Sequence, residues 1–111
     1  MNVVIDKIPA LVNEELEAAN AIHSFFHSQH EGYAVLLEEV EEAGSEMNDL
    51  NYRLKQLWTC VKHNYTKEAY GYARDVENRA IRLAAEAIQV AAMARKFRGT
   101  GINTLIGGDA K

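Results

Sequence analysis

The densest set of chemically useful side chains is the run Leu36-Leu37-Glu38-Glu39-Val40-Glu41-Glu42. On a helix, Glu38 and Glu42 fall one turn apart on the same row, Glu39 flanks them, and Glu46 continues the row. Carboxylates placed this way repel one another. On an exposed face, solvent and counter-ions relieve that repulsion, which is the commoner fate of a Glu-rich helix. At a site, a bound cation relieves it, because Mg²⁺ prefers oxygen ligands. Glu86 adds to the case. It lies about 60° from the centre of a later helix's apolar stripe, near the core boundary, with Gln89 on the same side. Arg82 lies one turn before Glu86, and Arg79 one turn before Arg82. A carboxylate at a core edge needs a partner. A salt bridge to Arg82 is one answer, and a cation shared with the acidic helix across a bundle is the other.

Other constellations are weaker. His23 and His27 have the one-turn spacing of a zinc pair, but Ser28 ends that helix before His30, and helix-end histidines commonly serve the C-terminal dipole. A di-iron bundle would need two E-x-x-H motifs, and none occurs. Trp58, Tyr65, Tyr70 and Tyr72 could stack on a base, although packing is the commoner use of such rings. Cys60 has no evident catalytic pairing. The chain has no P-loop, no Gly-rich dinucleotide fingerprint and no G-x-S-x-G.

Three long amphipathic segments must position these groups. Pro9 fits a first helical turn, and Leu11, Val12, Leu16, Ala19, Ile22 and Phe26 predict a helix from about Pro9 to His27. Ser28 and Glu31 form the S-x-x-E capping pattern that opens the second helix. Its stripe runs through Tyr33, Leu36, Leu37, Val40, Ala43, Met47, Leu50, Leu54, Leu57 and Val61. Gly44 or the stretch Asn48-Asp49-Leu50-Asn51 could bend or break it. Asn64 or Thr66 caps a third helix whose stripe is Ala69, Ala73, Val76, Ala80, Leu83, Ala87, Val90, Ala94 and Phe97. Gly99-Thr100-Gly101 stops it.

The expected architecture is therefore all-α: long amphipathic helices in an antiparallel bundle, with one domain over residues 1–98 and a Gly-rich tail over 99–111. Three helices close a core poorly, so a homo-oligomer, dimer or tetramer, is expected to complete the bundle. Of the 111 residues, 48% are hydrophobic and 25% charged, which suits a folded chain. The net charge of −4 argues against binding a nucleic-acid polymer. That charge is unevenly spread. Ile8 to Tyr52 holds ten acids and no Lys or Arg, whereas Arg53 to Lys111 holds eleven Lys/Arg and five acids. One half could hold cations and the other anions, or the two could simply pack side by side. A single cysteine precludes an internal disulfide and suits the cytoplasm. No signal peptide and no membrane span are expected.

The segment from His30 to Glu42 resembles the first motif of the MazG-like, all-α nucleotide pyrophosphohydrolases. That motif has the form E-E-x-x-E, matched by Glu38, Glu39 and Glu42. The segment Glu86-Ala87-Ile88-Gln89-Val90-Ala91-Ala92-Met93-Ala94 is similar to the second motif as phage-type and Gram-positive-type members write it. The likeness spans about residues 23 to 97. It implies that Glu38, Glu39, Glu42 and Glu86 ligate Mg²⁺, with Mn²⁺ as an alternative, and that Glu39 orients the attacking water. The implied reaction cleaves a nucleoside triphosphate to a monophosphate and pyrophosphate. Lys62, Arg79, Arg82 and Arg95 are candidate phosphate contacts, and Gln89 is a candidate substrate contact. Gln89 stands where the family usually writes the aspartate of E-x-x-D, and the stretch from Arg53 to Glu77 lengthens the gap between motifs. The alternative reading is a catalytically inactive helical relative that binds nucleotide or a protein partner.

Overall fold

A computed structural model describes residues 3–100. A short 3-10 turn, Ile5–Lys7, leads into α1, Ile8–Ile22; α2 spans Gln29–Lys62 and α3 spans Thr66–Arg95, followed by a π-helical turn, Lys96–Thr100. The protein is all-α, and none of these helices is long and apolar enough to cross a membrane. The expected stop at Gly99-Thr100-Gly101 is met in part: α3 proper ends at Arg95, but the π-helical turn continues through Gly99 and Thr100, and Gly101 with the rest of the expected tail lies outside the described residues.

Two boundaries differ from the sequence reading. First, α1 ends at Ile22 rather than His27. His23 turns extended (φ −136°, ψ 111°) while its N–H still closes the last turn on the Ala19 carbonyl. The following loop lets Phe26 turn inward, where it is 4% exposed. A core position for Phe26 outweighs one more turn of helix. Second, α2 is unbroken over 34 residues, through both Gly44 and Asn48-Asp49-Leu50-Asn51. The helix cost of one glycine, about 1 kcal/mol, is small beside the packing of a long stripe.

The start of α2 follows the capping pattern. Glu31 N–H donates to Ser28 Oγ at 3.0 Å, and Glu31 Oε1 accepts the His27 N–H at 2.6 Å. Pro9 sits in the first turn of α1, where its missing N–H costs nothing.

Contacts divide the chain into two compact units, Met1–Val40 with Ala87–Lys111, and Glu41–Glu86. In the first unit, Val12, Phe26, Ala92 and Lys96 are buried, and Arg95 donates to the Asn13 side chain. Gly32 is needed here. A Cβ at this position would stand 2.7 Å from the Phe97 ring and 2.9 Å from the Phe26 ring, closer than side chains tolerate.

The second unit is a helical hairpin. Its turn is a Schellman motif: Tyr65 N–H reaches the Cys60 carbonyl at 2.9 Å, Asn64 N–H reaches Val61 at 3.2 Å, and Asn64 takes φ 60°. Cys60 and Ala69 are buried on either side of this turn. Arg79 meets Glu46 and Asp49, and Arg53 meets Asp75, so the α3 partner number falls as the α2 number rises. That order makes the hairpin antiparallel, as expected.

The two stripes of α2 and α3 are only partly where the pattern put them. On α2, Leu36, Ala43, Leu50 and Leu57 are half-buried, but Tyr33, Val40, Met47, Leu54 and Val61 are exposed. On α3, Ala73, Ala80, Ala87 and Ala94 are exposed, whereas Ala92 is fully buried. Residues 84–94 are so rich in alanine that several faces look equally apolar, and packing rather than period chooses between them.

Candidate functional site

One turn of α2 carries Glu38, Glu39 and Glu42, and each offers a carboxylate oxygen within 4.8 Å of the others. Glu38 and Glu42 are exposed and Glu39 is half-buried. Helical spacing alone produces this grouping, so it belongs to α2 itself. At 4.8 Å, each like-charged pair costs about 1 kcal/mol even at the dielectric of water.

The donor set suits a hard cation. Oxygens around Mg²⁺ at 2.0–2.1 Å stand about 3 to 4 Å apart, so a small change of glutamate rotamer closes the set. Three protein oxygens would leave positions for water and for substrate phosphate oxygens. Glu86, on α3, is half-buried and is not one of the group of three.

The other candidate residues have distinct surroundings. Arg79 Nη1 stands 3.5 Å from Glu46 and 3.3 Å from Asp49. These are ion pairs at the edge of hydrogen-bond range, and a phosphate would have to compete with two carboxylates for Arg79. Glu46, the continuation of the acidic row, is thereby tied to α3. Lys62 lies over the Trp58 ring at 5.7 Å, at the last turn of α2. Arg82 is exposed. Gln89 lines a cavity of about 230 Å³ with Glu15, Ala19 and Met93.

Sequence reasoning missed a larger, more apolar cavity of about 320 Å³ in the first unit. Ile22, Phe25, Phe26, Val35 and Met93 form its apolar walls, and His23, His27, Glu31 and Lys96 supply its polar groups. Lys96 is only 3% exposed. Its ammonium donates to the His23 carbonyl at 2.7 Å and lies 4.6 Å from the centre of the Phe26 ring. Burial pulls the Lys96 pKa below its ordinary value, and the nearby Glu31 carboxylate opposes that shift. Glu31 itself is held below the ordinary glutamate value, first by the His27 backbone N–H and then by the His27 side chain. Lys96 also opens the π-helical turn, a local distortion that often marks functional sites. The available sequence signal was the one-turn pair Ala92 and Lys96, which competed with an alanine stripe that looked better.

These features define a class: an all-α protein whose longest helix presents a carboxylate-lined turn just beyond the wall of an apolar pocket. No family model matches the chain, and no curated protein and no solved structure matches it.

Proposed function

We propose that this protein is a Mg²⁺-dependent nucleoside triphosphate pyrophosphohydrolase, releasing a nucleoside monophosphate and pyrophosphate. The grouping of Glu38, Glu39 and Glu42 within 4.8 Å carries the reading, and the likeness of both glutamate motifs to the MazG-like family supports it. Bound Mg²⁺, or Mn²⁺, would neutralise phosphate charge and make a water more nucleophilic. Glu38 and Glu42, exposed on the rim, hold the cation side of the site. Glu39, half-buried, is the better placed to orient the water and take its proton. The water oxygen bonds to the α-phosphorus, the bridging bond to the β-phosphate breaks, and pyrophosphate leaves with that electron pair. The buried free thiol of Cys60 suits a reducing compartment such as the cytoplasm.

The decisive assay measures pyrophosphate release from a panel of (d)NTPs with Mg²⁺. Turnover is expected in the wild type and is expected to fall at least about 100-fold in Glu39→Gln. Absence of release from every nucleotide would remove the enzyme reading. Glu86→Gln tests separately whether α3 supplies a ligand.

A second reading, an interaction module, has its own observation. Tyr33, Leu37, Val40, Met47, Leu54, Trp58 and Val61 follow the three-four spacing of a coiled-coil seam, and all are 41–62% exposed. Gly44 and Asn51 complete the pattern. An uncovered apolar seam of this length fits pairing with a second copy of the chain. Sedimentation of the wild type and of Leu54→Glu tests it: a dimer or larger is expected for the first and a shift toward monomer for the second. A monomeric wild type at tens of micromolar would end this reading.

A further inference from the structure

Lys96 and its cavity do no work in the hydrolysis described above. A lysine this buried carries a desolvation cost that a purely packing role does not explain, because methionine would fill the same space. The ammonium has three N–H donors. One serves the His23 carbonyl, and the Phe26 ring face balances the charge from another side. Donor capacity remains for a ligand.

The cavity's electrostatics narrow the ligand. Glu31 lines the same cavity, so the walls carry one cationic and one anionic group. That balance disfavours a free carboxylate or phosphate and favours a neutral polar molecule. Aromatic walls from Phe25 and Phe26, and a volume of about 320 Å³, suit a single flat ring system rather than a whole nucleotide.

Position narrows it further. Glu31, Val35 and Glu38 fall within about 60° of one another around α2, and Val35 precedes Glu38 by about 4.5 Å of helix rise. A ring held against Val35 has its substituents within reach of the first carboxylate of the candidate metal turn.

We propose that this cavity binds the uncharged base of the nucleotide, and that Lys96 donates to an exocyclic ring oxygen. Lys96 is then a specificity-determining residue. Bases with such an oxygen are favoured over adenine, the one common base that has none. The identity of the ligand rests on the nucleotide reading above.

The experiment titrates the full chain, without metal, with uridine, thymidine, cytidine and adenosine, following backbone amide shifts by NMR. Nucleosides carry no phosphate, so their binding does not depend on the carboxylate turn. Uridine, thymidine and cytidine are expected to bind about tenfold or more tighter than adenosine, with shifts centred on residues 22–35 and 93–96. Lys96→Met is expected to remove the preference and leave adenosine nearly unchanged. Val35→Phe, which keeps the ammonium and fills the cavity, is expected to weaken all four, with circular dichroism showing that each variant is folded. Equal binding of adenosine, a preference that survives in Lys96→Met, or no binding of any nucleoside to the wild type would overturn the proposal. Selective nucleoside binding without pyrophosphate release would leave it standing and remove the hydrolase. Pyrophosphate release without nucleoside selectivity would do the reverse.

Discussion

The two units of this chain treat charge in opposite ways. In the hairpin of residues 41–86, Arg53 and Arg79 lie half-buried along the helix pair and meet acids of the opposite helix at 3.3–3.5 Å. In the other unit, Lys96 is buried, with the His23 carbonyl and the Phe26 ring as its partners. The hairpin's charges set register and can be lost cheaply. The buried charge needs a specific surrounding, and its neighbours tolerate little change. A chain gains from that second arrangement only when the buried group has something to meet.

The contrast predicts a ranking of substitutions. The largest effect belongs to Gly32→Val. Even a Cβ meets two rings at 2.9 Å or less, and a branched side chain must displace Phe26 and Phe97 beside Lys96. Overpacking of this kind costs about 1–3 kcal/mol or more, read as a lowered denaturation midpoint. Asn64→Val should come next. It forces a β-branched residue into the left-handed conformation that closes the hairpin, a strain of order 1–3 kcal/mol, whereas Asn64→Gly should cost little. If Gly32→Val proved harmless, the first unit would not be the tightly fitted region that its buried residues describe.

The hairpin was the legible part of the sequence. Its turn falls at Asn64 as expected, although Asn64 closes α2 in the left-handed conformation instead of capping α3, and its antiparallel order follows from a short connection. The carboxylate turn was legible too, since Glu38, Glu39 and Glu42 are grouped by helical spacing alone. Legibility failed where tertiary packing overrode period. Phe26 looked like the last position of an α1 stripe, but it leaves the helix to enter the core. Ala92 and Lys96 are buried where Ala87 and Ala94 were expected to be, because an alanine-rich surface offers no single apolar face. A lysine in a core is also a choice that hydrophobic patterning cannot announce. The functional reading of the carboxylates, unlike their grouping, came from family likeness and stands as a proposal.

Removing hairpin charge should matter less than either backbone substitution. Arg79→Met breaks two loose pairs to Glu46 and Asp49 that are partly exposed. Partly exposed pairs contribute about 0–1 kcal/mol, and added salt should shrink the difference further. Lys96→Met should differ in sign rather than size. It removes a buried charge while keeping the stem, so stability should hold or rise slightly near neutral pH. A clear loss of stability there would show that Lys96 is a structural tie and no binding group.

The smallest effects are pH dependences, and both arise in the first unit with slopes of the same sign, in different pH ranges. The Lys96 pKa is lowered in the fold. The native state therefore binds fewer protons than the unfolded state between that lowered value and the ordinary 10.5. Stability contributed at this site should rise with pH through that alkaline window, and the rise should vanish in Lys96→Met. The Glu31 pKa is also lowered, so stability again rises with pH, here because a favourable interaction of the charged form is gained and not because a buried charge is relieved. Its contribution is complete above the ordinary 4.5 and is lost as pH falls through the folded value. Wild type and Glu31→Gln should therefore differ in melting temperature near neutral pH and converge in acid. Because Glu31 is exposed, that difference should be small. Its disappearance on acidification, rather than its size, is what identifies the charged cap holding the His27 N–H at the mouth of the Lys96 cavity.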